Sequence, residues 1–421
     1  RSLRRERLTA LGMSLPRCLN KVFPFSLSCL LISLYPFSIV YRPEIFKYFY
    51  MTVWCERYLT AISRGGFILG ITHEKRAIII AGLIIGAIAG FLVLAGNPAN
   101  MGFCIACFIR DTVGGLGLHR AAPVQYIRPE IIGLILGAFI LSVIRGEHVS
   151  KGGSSPMTRF ILGVLVMIGC LMFLGCPFRL ILRLAGGDWN AILGFVGFVI
   201  GIGIGTVFLK NGYSLKRTYK LTKLDTAVMP VLQVVLLIFV VTAPAFIFFS
   251  EKGPGAMHAA WAVSLIAGLV VGGLAQYTRL CMVGGIRDII LFHETKLILG
   301  FVAVLVAAFL VNISFGNFHP GFANQPIAHT DGLWNLLGMA LAGFCSILLG
   351  GCPMRQLILT GEGNSDSAVT VLGLIVGAAF AHNFNLAASG AGPTFNGQVA
   401  VIIGFVVAFI IAVVNTRKQS A

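Results

Sequence analysis

The sequence predicts an all-α polytopic membrane protein of about ten transmembrane helices plus four short re-entrant helices, laid out as two five-span repeats of opposite orientation. Three observations predict it. Hydrophobic residues make up 57% of the 421-residue chain and charged residues only 11%, with a mean hydropathy of +0.90. A soluble protein carries about 25% charged residues to face water. Apolar runs of the length that crosses roughly 30 Å of hydrocarbon as a helix recur along the chain. Two short motifs also return in the same order, with Cys104 and Cys281 separated by 177 positions and Cys176 and Cys352 by 176. Chance does not keep that register across two separate motifs.

The spans are expected at about 77–96, 128–145, 159–175, 190–209, 228–250, 257–275, 296–315, 333–350, 367–384 and 397–414. Their sides follow from charge. The formal charge of +17 is concentrated in loops: twelve of the 32 Lys and Arg lie in residues 1–76. Lys210, Lys216, Arg217, Lys220 and Lys223 crowd one connection, whereas 316–332 and 385–396 contain neither residue type. This is the positive-inside pattern of cytoplasmic faces. It predicts an inner-membrane protein with both termini cytoplasmic, and it argues against nucleic-acid binding.

Residues 1–76 form a basic segment with an extra hydrophobic stretch at 23–41, interrupted by Pro24 and Pro36 and lacking a small-residue cleavage pattern. It is assigned no role, and Met51 offers a natural start. Residues 77–250 are the first repeat, 257–414 the second, and 415–421 a cytoplasmic tail. Five spans per repeat means that the second copy enters the membrane from the opposite side. In secondary transporters built this way, the site lies near the midplane where the repeats meet.

The motifs occupy the connections after the first and third spans of each repeat. Phe103-Cys104 with Arg110-Asp111 returns as Leu280-Cys281 with Arg287-Asp288, and Gly175-Cys176-Pro177-Phe178-Arg179 as Gly351-Cys352-Pro353-Met354-Arg355. The glycines are expected to make the turn. Proline suits the first helical position because its missing N–H would be unbonded there. Cysteine then falls at a helix N-terminus, where free N–H groups and the dipole favour anions. Broken helices at membrane depth survive only where protein or a water-filled cavity covers them, so the four stubs are expected to converge.

Cys104, Cys176, Cys281 and Cys352 are therefore the candidate pathway thiols. Arg179 and Arg355 serve either to attract an anion or to bond carbonyls and carboxylates; the sequence leaves both open. Arg110, Asp111, Arg287 and Asp288 are expected to form ion pairs. Cys107 completes a Cys-x-x-Cys with Cys104 and is a further candidate for the pathway, its role left open because the second repeat has Gly284 there. A structural zinc site wants four N or S ligands, and none completes it, so no metal is expected. Cys170 and Cys345 are read as packing residues. His119, His293, His319, His329 and His382 are read as interfacial.

At these motifs the chain resembles the YeeE/YedE family of bacterial sulfur-compound transporters, over about residues 75–415. The stretch from Asn97 to Asp111 looks most like the YedE branch linked with selenium metabolism. The resemblance implies a thiosulfate-type permease, hourglass-shaped, with Cys104, Cys176, Cys281 and Cys352 along the central path. It also implies that the anion passes between thiols by S–H hydrogen bonds, without covalent attachment. The extra thiols Cys107, Cys170 and Cys345 depart from that pattern.

The leading expectation is thus a non-enzymatic transporter for a small sulfur or selenium species, without a cofactor. An alternative is a membrane thiol–disulfide oxidoreductase using Cys104 and Cys107; a third is a small-anion channel whose cysteines only pack. No nucleotide-binding loop is present, so energy comes from a gradient or a partner. Candidate partners, besides substrate and lipid bilayer, are cytoplasmic sulfurtransferase or selenium-handling proteins.

Overall fold

The computed structural model describes residues 72–416. The hydrophobic stretch expected at 23–41 lies outside the described residues. Within them the chain folds into α1 (His73–Leu94), α2 (Ile105–Gly115), α3 (Pro129–Ile144), α4 (Pro156–Met172), α5 (Pro177–Ala185), α6 (Asn190–Lys210) and α7 (Lys223–Thr242). The rest comprises α8 (Trp261–Thr278), α9 (Met282–Phe292), α10 (Lys296–Ser314), α11 (Gly332–Leu348), α12 (Pro353–Gly361), α13 (Ser365–Asn383) and α14 (Phe395–Val414). Ten segments are long and apolar enough to cross a membrane, and the chain is a multi-pass membrane protein. α2, α5, α9 and α12 are the short helices that carry the cysteine motifs. Two-residue strands, β1 (Lys151–Gly152) and β2 (Tyr219–Lys220), pair antiparallel and tie two connections together.

Glycine places the long helices. α1 lies along α10, α3 along α8, α4 along α13 and α6 along α11. The pairs run parallel, because contacts advance in step: Gly82 meets the Gly300 carbonyl, Gly86 the Val304 carbonyl, and Gly90 Val311. Gly197, Gly201 and Gly205 do the same against Leu336, Ala340 and Ile347. At Gly201 a Cβ would stand 2.0 Å from the Ala340 carbonyl, and at Gly137 2.2 Å from that of Leu269. Only hydrogen fits. Between helices in lipid the hydrophobic effect gives little, so close backbone approach along small-residue stripes supplies the association.

Burial sorts the helices into centre and rim. In the α4–α5 and α11–α12 segments 83% of the apolar window is buried, against 28% in α7 and α14. The rim helices turn Val231, Ile238, Phe409 and Ile410 outward, an apolar surface that only hydrocarbon would cover. The centre is an α4–α11 crossing, where Gly169 abuts the Gly338 carbonyl and Ala342.

The first and third spans begin a few residues early, at His73 and Pro156, and the fifth and sixth are shifted for identifiable reasons. The fifth, read as 228–250, is α7 at Lys223–Thr242. A Thr222–Asp225 capping box starts it early, offsetting the cost of two charges in its first turn. It stops where Ala243 turns left-handed ahead of Pro244, and the apolar residues beyond fold back on α2, with Phe248 N–H donating to Gly115 O at 2.8 Å. The sixth begins at Trp261 rather than 257, because Ala259 N–H is held by Asn97 Oδ1 at 2.9 Å.

Candidate functional site

All four motif cysteines sit where a helix begins. Cys104 caps α2 and Cys281 caps α9, each sulfur accepting the N–H three residues on (Cys107 and Gly284) at 3.4 Å. Cys176 caps α5 and Cys352 caps α12, with Pro177 and Pro353 at the first helical positions. The cysteines meet in pairs. Ile105 N–H donates to Cys176 Sγ at 3.3 Å, which brings the starts of α2 and α5 together. Cys281 and Cys352 have their sulfurs 4.0 Å apart, bringing together α9 and α12. Each pair therefore has two helix N-termini aimed at it, an arrangement that favours negative charge. All four thiols are free and buried.

The turns ahead of Cys176 and Cys352 differ from expectation. The left-handed residue is Leu174 (φ 59°) in the first and Gly350 (φ 82°) in the second, not Gly175 or Gly351. What Gly175 and Gly351 supply is room, since a Cβ would meet the Arg179 Cδ at 3.0 Å and the Arg355 Cγ at 3.1 Å. Leu174 is only 3% exposed, whereas Gly350 is exposed with open space around it.

The arginines also part company. Arg179 is fully buried and spends its guanidinium on carbonyls: Nε on Asn100 O at 3.2 Å, Nη2 on Pro326 O and Ile327 O at 3.3 Å, and Nη1 on Leu174 O. Cys107 Sγ donates to the same Leu174 carbonyl at 3.6 Å, so this second thiol of the Cys-x-x-Cys braces the turn. Arg355 instead pairs with Glu362 at 2.9 Å. Arg110 and Asp111 pair at 2.7 Å and Arg287 and Asp288 at 2.7 Å. The first pair is buried, while the second is 33% and 18% exposed.

Several contributors escaped the sequence reading. Arg128, fully buried, bonds Asp111 at 2.8 Å, the carbonyls of Met257 and Pro254, and lies over the Phe108 ring at 4.6 Å. Asp111 thus serves two guanidiniums. Arg183 pairs with Asp188 at 2.6 Å beneath the Phe173 carbonyl. Glu130, wholly buried, accepts from Asn97 Nδ2 and Ser264 Oγ. The usable signal was spacing: Arg183 falls one turn after Arg179 on an otherwise apolar stub, and Arg128-Pro129-Glu130 opens a span.

His119 and His329, read as interfacial, are buried and bonded. His119 Nε2 faces the Arg110 carbonyl at 3.0 Å while its Nδ1 accepts from Ala121 N–H; His329 Nε2 faces Met172 O at 2.8 Å. Burial holds both rings below the ordinary histidine pKa of 6.5. Cys170 and Cys345 lie buried on the packed helices α4 and α11. No group of three or more His, Cys, Asp or Glu placed to hold a metal occurs among the described residues.

The two faces are therefore unequal. Over Cys104 and Cys176, the connections 95–103, 119–128, 243–260 and 315–331 are sewn together by Arg128, Arg179 and Ser250, the last bridging Gln125 N–H and Ala122 O. Beside Cys281 and Cys352, charged side chains are partly open. Where α1 and α10 begin and α3 and α8 end, a polar cavity of about 360 Å³ is lined by His73, Glu74, Arg145, Tyr277, Arg279 and Lys296. Glu147, near its rim, is held below the usual carboxylate range by hydrogen bonds from Arg145 and then Gln276.

Residues 277–420 match the sulphur transport family model. The sulphur transport match covers about a third of the chain, from the last turn of α8 through α14. It includes Cys281, Arg287, Asp288, Cys352 and Arg355. No curated protein matches the chain.

Proposed function

We propose that this protein carries a small sulfur-bearing anion of the thiosulfate type, or a small selenium species, across the bacterial inner membrane. The observation that carries the reading is the Cys281–Cys352 pair: it lies inside the segment matched to sulphur transport, and two helix N-termini converge on it. In this reading the two halves are inverted repeats. The parallel pairing supports it, since the first span of each half lies along the second of the other and the third along the fourth.

Physically, passage requires replacing the hydration shell of an anion without trapping it. Helix N-termini and the surplus buried guanidiniums, Arg179 and one of Arg110 and Arg128, lower the cost of negative charge in a low-dielectric interior. Thiols then offer S–H donors to one side of the α4–α11 crossing through Cys104 and Cys176, and to the other through Cys281 and Cys352. S–H is a weak donor, so the anion leaves again, and no covalent bond forms. With both termini cytoplasmic, the sealed face over Leu174 is periplasmic and the open face at Gly350 is cytoplasmic. A sulfurtransferase or selenium-handling protein at the cytoplasmic face would draw the cargo inward.

The test is uptake of labelled thiosulfate and labelled selenium compounds by cells lacking their own carriers. Expression of the wild-type chain should confer uptake, and Cys176→Ala or Cys352→Ala should remove it while the protein remains folded. Uptake that survives both changes rejects the thiol pathway.

A further inference from the structure

The segment Gly169-Cys170 stands to Cys176 as Cys345-Ser346 stands to Cys352, six positions separating Cys170 from Cys176 and Ser346 from Cys352. The backbone repeats the relation. Gly175 N–H donates to Cys170 O at 2.8 Å, and Gly351 N–H donates to Ser346 O at 3.0 Å. Ser346 accordingly stands six positions and one turn-closing backbone bond ahead of Cys352.

Ser346 is 0% exposed, and its hydroxyl has no hydrogen-bond partner. A helical Ser or Thr in an apolar setting usually returns its hydroxyl to the carbonyl four residues back. This protein follows that habit at Thr112 with Phe108 O, Thr206 with Ile202 O, Thr278 with Leu274 O, Thr360 with Gln356 O and Thr370 with Asp366 O, at 2.7 to 3.1 Å. Ser346 does not. A buried hydroxyl left unpaired is costly in low dielectric, and on the transport reading such a group, six positions ahead of Cys352, is free to bond the cargo.

We propose that Ser346 Oγ–H donates a hydrogen bond to an oxygen of a sulfur oxyanion held at the Cys281–Cys352 pair. The inference rests on the transport reading above and narrows it to a class: an anion with a soft sulfur end for the thiols and a hard oxygen end for the hydroxyl. The corresponding place at the first pair holds the thiol of Cys170, so the two pairs are chemically unequal.

The experiment uses the full chain in liposomes, with labelled thiosulfate as the probe. Ser346→Ala should raise the half-saturating concentration about ten-fold, the loss expected for one hydrogen bond to a charged partner. Ser346→Thr keeps a hydroxyl and should keep the wild-type value. The thermal midpoint of Ser346→Ala in detergent should be unchanged or higher, because the hydroxyl has no protein bond to lose. An unchanged half-saturating concentration in Ser346→Ala, with the wild type active, overturns this inference alone. A clear drop in its midpoint assigns the hydroxyl a structural role and overturns it as well. Wild-type protein that takes up no more thiosulfate than empty liposomes overturns the transport reading too.

Discussion

Cys281 and Cys352 begin different short helices, yet their sulfurs lie 4.0 Å apart. That is about twice a disulfide bond length of roughly 2.05 Å, so both thiols are free to donate and accept. Cys352→Ala should lower uptake at least about ten-fold while costing only about 1 kcal/mol of stability, the typical effect of a point change. Paired uptake and thermal-melting measurements check it; a variant that transports normally counts against the pathway.

Asp111 pairs with both Arg110 and Arg128, at 2.7 and 2.8 Å, with all three side chains buried. Asp111→Ala would leave two guanidiniums without a carboxylate. Removing one member of a buried pair costs about 3–5 kcal/mol. We expect poor accumulation and a much lower thermal midpoint for Asp111→Ala, with Asp288→Ala milder because its pair is partly solvated. Equal effects would show that burial is not what matters.

Leu174 and Gly350 should behave as opposites. A buried leucine in the left-handed region stores about 1–2 kcal/mol. Leu174→Gly releases that strain but leaves a cavity costing about 2–5 kcal/mol, so it should be less stable and leakier to small anions. At Gly350 an added Cβ meets no atom within 4 Å, so Gly350→Leu should fold, at about 1–2 kcal/mol, yet slow transport by narrowing the open face. Flux assays on both variants decide whether this position gates.

Acid should loosen the sealed face. Burial keeps His119 and His329 below 6.5 in the folded protein, so the unfolded chain binds more protons as pH falls below that value. Stability is then complete above about 6.5 and declines on acidification. Protection against hydrogen exchange in 315–331, taken relative to the intrinsic rate at each pH, should fall between pH 7.5 and 5.5, and His329→Gln should blunt the response.

The glycine seams give a sharp contrast. Gly201→Ala drives a Cβ to 2.0 Å from the Ala340 carbonyl, while Gly203→Ala meets nothing within 4 Å. Overpacking of this kind costs about 1–3 kcal/mol. Gly201→Ala should melt earlier by several degrees and Gly203→Ala should match the wild type.

Ten segments long and apolar enough to cross a membrane, and four short helices that begin at a cysteine, were legible because hydropathy and register are properties of the chain itself. Pro177 and Pro353 announced helix starts for a purely local reason. What stayed hidden depends on distant partners. Arg179 could be read as anion-attracting or carbonyl-bonding, and only the folded connection 315–331 supplies the carbonyls of Pro326 and Ile327. The span boundary at 242 was missed because the apolar run Ala245–Phe249 looks like hydrocarbon-crossing sequence, yet it covers α2. Ser346 was invisible, since an unpaired hydroxyl is defined by what does not surround it.

The seams also set a timetable for biogenesis. Gly82 of α1 leaves the ribosome about two hundred residues before Gly300 of α10, its packing partner, which at 5–20 residues per second is a wait of roughly 10–40 s. During that interval a helix with a bare backbone stripe rests in lipid with nothing to grip. Such helices invite mispairing with one another or capture by quality-control proteases, so yield should fall when translation of the second half is slowed.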